Sequence, residues 1–269
     1  LDIEYMTHSR DAVFKMNEPH VMALGFFDGV HLGHQSLLKQ AKSIAKKLGL
    51  KFTVMTFDPH PDEIIKHETD RRYITPLDSK LERISAFGAD KIFVMNFNHP
   101  FASLPADDFI KKYIVELNAK HVVVGFDFSF GYKARGDVDY LRHFRKDFEV
   151  TVISKKTRND QKISSTLIRK LISDGDVHLI PPYLGNHYEI RGHLTGVHMK
   201  ALHPDSKYIM PKPGLYQVEI LSEKKTTKGL LSCSAETCQL SSSTWVPLNS
   251  GEITVKFLRQ PALVRTVSV

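Results

Sequence analysis

The chain has 269 residues, 42% of them hydrophobic and 25% charged, and a formal net charge of +7. That length holds one large domain or two of ordinary size, and the composition excludes a disordered chain. No apolar run approaches the roughly 18 residues that a membrane span needs, so no membrane partner is expected. The positive balance favours phosphorylated ligands, but the basic pairs (Lys46-Lys47, Arg71-Arg72, Lys111-Lys112) are scattered, which disfavours nucleic acid. Residues 1–17 are polar and charged, unlike a secretory signal. The two cysteines, Cys233 and Cys238, have no companions for a zinc site and suit a reducing, cytoplasmic setting.

In chain order, residues 1–19 are weakly patterned, with Val13-Phe14 expected as a short edge strand. His20 to Leu24 reads as a buried strand. The next ten residues, from Gly25 to His34, form a glycine-bearing turn. Gln35 to Leu48 then carries apolar residues at helical spacing and stops at Gly49. A strand, a turn and a helix N-terminus present free N–H groups and a positive dipole end, which suits a phosphate chain. His31 and His34 would add side-chain donors there. No Gly-Lys-Ser/Thr follows and no G-x-G-x-x-G is present, so neither a Walker A loop nor a dinucleotide fingerprint is implied.

Lys51 to Phe57 is a further strand, closed by Asp58-Pro59-His60-Pro61, a stiff loop. A helix is expected to start at Thr75-Pro76-Leu77-Asp78 and to continue from Ser79 to Phe87, and Leu104 to Leu117 is also expected to be helical. Lys91 to Phe97, His121 to Gly125 and Val150 to Ile153 are strand-like, and Ser164 to Ser173 reads as a helix capped by Ser164 or Ser165. Alternating short apolar strands and amphipathic helices predict an α/β fold with a parallel sheet. The loops at Phe26 to His34, Asp58 to Pro61 and Gly125 to Gly136 all fall at strand ends where such sheets bind ligands. Beyond Pro181-Pro182 the pattern becomes strand-like: Tyr188 to Val197, Gly214 to Leu221, Gly229 to Ser234 and Glu252 to Leu258. A small β-barrel is expected there.

The block Gly25-Phe26-Phe27-Asp28-Gly29-Val30-His31-Leu32-Gly33-His34 resembles the H-x-G-H signature of the nucleotidylyltransferase superfamily. In its longer form it resembles the N-terminal domain of bacterial riboflavin kinase/FAD synthetases. Three more blocks agree: Phe57-Asp58-Pro59-His60-Pro61 with T-F-(E/D)-P-H-P, Gly125 to Gly131 with G-x-(N/D)-F-x-F-G, and Ile163 to Arg169 with I-S-S-T-x-I-R. The resemblance implies a Rossmann-like nucleotidylyltransferase domain over residues 1–182. It implies an FMN adenylyltransferase that transfers AMP from ATP to FMN, giving FAD and pyrophosphate, with Mg²⁺ accompanying ATP.

By the same resemblance, His31, His34 and Arg169 would be catalytic, and Gly25, Phe26, Phe27, Asp28, Gly33, Ser165 and Thr166 would bind ATP. Phe57, Asp58, Pro59, His60, Pro61, Gly125, Asp127 and Phe128 would bind the flavin. No protein-held metal is expected, although Asp58 stands as a candidate neighbour of Mg²⁺. Asp127 stands where many relatives carry Asn. Residues 183–269 resemble the riboflavin kinase barrel through Leu184 to Tyr188, Gly192 to Gly196 and Pro213 to Tyr216. The G-x-P-T-A-N motif is replaced by His198-Met199-Lys200-Ala201-Leu202-His203-Pro204-Asp205, and the sequence ends soon after Arg259. A degenerate, truncated barrel without kinase activity is therefore expected. The alternatives are a bifunctional enzyme, a different acceptor for the same chemistry, and a flavin- or RNA-sensing regulator.

Overall fold

The computed structural model describes residues 1–9, 14–144, 146–158, 160–195, 200–222, 225–234, 237–241 and 251–260. The chain divides into two compact units, residues 1–71 with 77–157, and residues 72–76 with 158–269.

The first unit is built on a six-stranded parallel sheet in the order β1-β4-β3-β2-β5-β6. Its strands are β1 (Asp2–Thr7), β2 (His20–Leu24), β3 (Lys51–Asp58), β4 (Lys91–Asn96), β5 (Ala119–Gly125) and β6 (Glu149–Ile153). The helices are α1 (Leu32–Leu48), α2 (Pro61–Ile65), α3 (Leu77–Ser85), α4 (His99–Ala102), α5 (Ala106–Ile110) and α6 (Val138–Arg142). A π-helical turn, Lys111–Val115, extends α5.

All five residues of β2 are buried because successive side chains serve opposite faces. Met22 and Leu24 join a core with Phe101, Phe109, Ile110 and Tyr113, while Val21 and Ala23 pack with Leu38, Ala41 and Ala45 of α1 and with Leu81 and Ile84 of α3. The chain leaves β2 toward β3 and β4 on one side, and returns to β5 and β6 on the other. A crevice at the C-terminal ends of β2 and β5 follows from that reversal.

The N-terminal edge strand lies elsewhere than the sequence suggests. It is β1, paired in parallel with β4 from Asp2↔Lys91 to Thr7↔Asn96. Phe14 lies outside any strand and packs against the core, and Val13 is outside the described residues. Ladder hydrogen bonds at an edge need no apolar alternation. Of β1 only Met6 is buried, so its side chains give little signal.

A short ribbon, β7 (Thr157–Arg158) with β8 (Gln161–Lys162), leads to α7 (Ser165–Asp174) and α8 (Pro181–Leu184). The second unit then forms a closed antiparallel barrel, β10-β13-β12-β11-β14-β9. Its strands are β9 (Glu189–Thr195), β10 (Lys200–Pro204), β11 (Gly214–Ser222), β12 (Lys225–Cys233), β13 (Cys238–Ser241) and β14 (Gly251–Arg259). Buried residues alternate along β11 and β14, and Tyr216 and Phe257 meet edge to face at 5.4 Å.

Gly192 falls within β9, while Gly196, His198 and Met199 lie outside the described residues. The residues from Lys200 to Pro204, read only as a lost motif, form a strand. Residues 158–182 group by packing with the barrel.

Candidate active site

Hydrogen bonds from three directions build the loop after β2. Gly25 N donates to Met55 O (3.2 Å), the buried Thr56 hydroxyl donates to Phe26 O (2.9 Å), and the Gln35 side-chain amide donates to Val30 O (3.0 Å). They hold three positive φ angles within four residues: Phe27 (61°), Gly29 (81°) and Val30 (45°). For a β-branched residue that conformation is strained, of order 1–3 kcal/mol, and such strain concentrates at functional sites.

His31 caps α1, its Nδ1 accepting from His34 N at 3.3 Å. A neutral His31 therefore carries its proton on Nε2. One turn into the helix, the His34 ring stacks on His31, with centroids 3.6 Å apart and planes 14° apart, and it meets the buried Phe27 ring edge to face at 5.2 Å. His34 Nδ1 is sealed from solvent and has no hydrogen-bond partner among the described residues. Burial above all, and then the charges of His31 and Lys80, hold its pKa well below the ordinary histidine value. His34 is thus a neutral imidazole with an unmet polar atom, which a phosphate ligand can satisfy; leaving such an atom bare costs about 1–3 kcal/mol.

Beside this pair lies a pocket of about 360 Å³. It brings together Gly25, Phe26, Phe27 and His34 from the first block, Phe57 and Pro61 from the second, and Gly125, Asp127 and Phe128 from the third. Asp127 is exposed at its rim, and Phe128 stacks on Phe130 at 5.7 Å. An aromatic pocket with few polar groups suits a flat conjugated ring.

The other expected residues stand differently. Asp28, His31 and Gly33 are outside the lining, the first two buried in the loop below it. Asp58, Pro59 and His60 are also outside it. His60 Nδ1 accepts from Asp62 N (3.0 Å) and Glu63 accepts from His60 N (3.2 Å), a capping box that starts α2. The His60 ring meets that of Phe26, a lining residue, at 4.3 Å.

Ser165, Thr166 and Arg169 belong to the second unit. Ser164 is the cap of α7, its Oγ accepting from Leu167 N at 3.3 Å. Ser165 and Thr166 open the first turn, and Arg169 donates to Arg72 O at 2.6 Å.

Two groups were not foreseen. Phe97, Phe101 and Phe109 complete the apolar wall, and their signal was the aromatic spacing after β4. Lys80 is a buried cation in α3 whose Nζ donates to Phe57 O at 3.0 Å. Its signal was a lysine on the apolar stripe of Leu77, Leu81 and Ile84.

A family model described as FAD synthetase matches residues 13–167, more than half of the chain. The chain belongs to the FAD synthetase family. The matched stretch takes in the histidine loop, the whole pocket lining, Ser165 and Thr166, and it ends before Arg169.

Over 223 residues the chain is 39% identical to a bifunctional riboflavin kinase/FMN adenylyltransferase of Listeria monocytogenes, spanning 79% of this chain and 71% of that one. A relative of the same name in Bacillus subtilis is 37% identical over 229 residues, 80% and 72% of the two chains. A second Listeria monocytogenes protein, named FAD synthetase, is 33% identical over 217 residues, 80% of this chain and 87% of that one. Among solved structures, a Streptococcus pneumoniae chain described as a macrolide-efflux protein superposes with a TM-score of 0.87. It is 27% identical, and the match covers 97% of this chain and all of that one. Among the described residues of this FAD synthetase family member, no helix is long and apolar enough to cross a membrane.

Proposed function

We propose that the chain transfers AMP from ATP to FMN, giving FAD and pyrophosphate. The observation that carries this reading is the stacked, helix-capping His31–His34 pair beside an aromatic pocket of about 360 Å³. The flavin ring enters the pocket against Phe57, Phe128 and Pro61, with Asp127 at the rim. A phosphate oxygen of FMN attacks the ATP α-phosphorus. A new P–O bond forms there, the bond to the bridging oxygen breaks, and pyrophosphate leaves with the electron pair.

No protein nucleophile is needed; the protein positions the reactants and meets charge as it develops. His31 Nε2 and the neutral His34 ring donate hydrogen bonds to phosphate oxygens, aided by the α1 N-terminus. Ser165, Thr166 and Arg169 hold the triphosphate from a catalytic domain that extends, in function, to residue 182.

Mg²⁺ arrives as part of the MgATP substrate and offsets phosphate charge. Among the described residues no group of three or more His, Cys, Asp or Glu could hold a metal by itself.

The barrel, in this reading, lacks riboflavin kinase activity because the residues from His198 to Asp205 replace the expected Thr and Asn. The bifunctional names of two relatives favour the second reading, a retained kinase. Purified protein is given MgATP with FMN or with riboflavin, and the flavins are separated by chromatography. FAD from FMN and no product from riboflavin is expected. FMN from riboflavin would establish the second reading, and no product from either would sink both.

A further inference from the structure

We propose that Lys80 is a positioning residue of the phosphate site: its buried ammonium ties the end of β3 to the β2–α1 loop and sets a fixed positive charge beside the His31–His34 pair. The inference deepens the proposed adenylyl transfer and rests on it for its kinetic consequences.

Lys80 stands three residues after Leu77 and four before Ile84, on the stripe by which α3 packs against the sheet, and it is only 2% exposed. Burying an ammonium is unfavourable by several kcal/mol unless partners replace its water. Those partners come from two separate elements. From β3, Phe57 O accepts a hydrogen bond at 3.0 Å and the Asp58 carboxylate attracts the charge. From the loop after β2, the Phe26 ring lies 4.1 Å under Nζ and the Asp28 carboxylate adds its attraction. A cation over a desolvated ring face is held electrostatically. Phe26 and Phe57 both line the pocket, and Asp28 opens the 3-10 turn that leads directly to His31. One side chain therefore spans the flavin wall and the histidine loop.

The charge reaches further than the contacts. Burial lowers the Lys80 pKa to about 8 and the two carboxylates oppose that fall, so Lys80 is a cation at neutral pH. Its repulsion joins burial and His31 in keeping the His34 ring neutral. A fixed cation in a dry setting also adds to the α1 dipole in drawing a polyphosphate, with no reorganisation at the moment of reaction. A lysine serving only to close the core would do neither.

The first test uses the unaltered, ligand-free protein. The His34 ring resonances, assigned by comparison with His34→Gln, are followed by NMR from pH 7 to 10. An inflection near pH 8, as Lys80 loses its proton, is expected; a flat titration would overturn the proposal. Lys80→Met and Lys80→Arg are then compared with wild type in FAD formation. Lys80→Met is expected to lower kcat on the order of 100-fold while the FMN KM moves by less than about threefold, and Lys80→Arg to recover most of the rate. Equal kcat in wild type and Lys80→Met would overturn the proposal. Absence of FAD formation by wild type would instead sink the adenylyl-transfer reading, and the NMR titration would still decide whether Lys80 governs His34. If Lys80→Met fails to fold, the titration and the Lys80→Arg rate decide.

Discussion

A Cβ at position 33 would stand 3.0 Å from His31 Cε1 and 3.1 Å from Nδ1, closer than the stacked ring can accept without moving. The glycine of H-x-G-H is therefore explained by the ring stack rather than by a turn, since Gly33 sits inside α1. Alanine is the better helix former by about 1 kcal/mol, so Gly33→Ala is expected to leave stability level or slightly raised. FAD formation is expected to fall at least on the order of tenfold as His31 is displaced. Thermal melts and turnover on one preparation would check both. Histidines also set the acid limit. His20 is fully buried and its pKa is lowered to about 4, chiefly by burial; His34 is lowered for the same first reason. With folded values below the unfolded value of 6.5, the unfolded chain takes up protons first as pH falls. Stability is full above about pH 6.5 and is lost toward pH 4, by about 3 kcal/mol from His20 alone. Urea midpoints from pH 7.5 to 4.5 should fall steadily, and His20→Leu should flatten the curve.

At the scale of elements, α2 shows how one sequence block divides between structure and site. Phe57 and Pro61 face the pocket, whereas His60 spends its Nδ1 and backbone N–H on the capping box. His60→Ala is expected to lower stability by about 1 kcal/mol, read as a urea midpoint, with a smaller rise in the FMN KM than Phe128→Ala produces. The apolar runs of β2, β3 and β5 were legible in the sequence because both sheet faces are covered and every residue must be apolar or hydrogen-bonded. β1 was not, because an edge strand is held by its backbone and needs little burial. β10 and β13 were missed because they are five and four residues long, too short for alternation to stand out. Lys80 was missed for a different reason. A lysine in a helix ordinarily lies on the solvated face, and the partners that make its burial tolerable come from β3 and the β2–α1 loop, far off in sequence.

The whole molecule is interleaved in sequence. Residues 72–76 leave the first unit, and Tyr73 pairs in parallel with Tyr208. Tyr73 N donates to Lys207 O at 2.7 Å and Ile209 N donates to Tyr73 O at 3.0 Å. Residues 72–76 are thus tied by backbone hydrogen bonds to the segment that follows β10 within the second unit. In native-state hydrogen exchange, the Tyr73 amide is expected to open with the barrel amides. Phe257→Ala, which removes a buried ring worth about 3–5 kcal/mol, should lower the protection of Tyr73 and Ile209 together while Val54 in β3 keeps its own. No motif announced this pairing, because a two-residue bridge leaves no periodicity, whereas the histidine loop and its pocket could be read from ten consecutive residues, the proline-bearing block from Phe57 to Pro61 and the glycine-flanked block from Gly125 to Gly131. The measurement that tests the central claim most directly is FAD formation from FMN and MgATP by wild type and by His34→Gln. The account predicts steady FAD and pyrophosphate production by wild type. It also predicts a kcat lower on the order of 100-fold in His34→Gln with the FMN KM little changed. FAD formation at the wild-type rate without His34, or none by wild type, would contradict it.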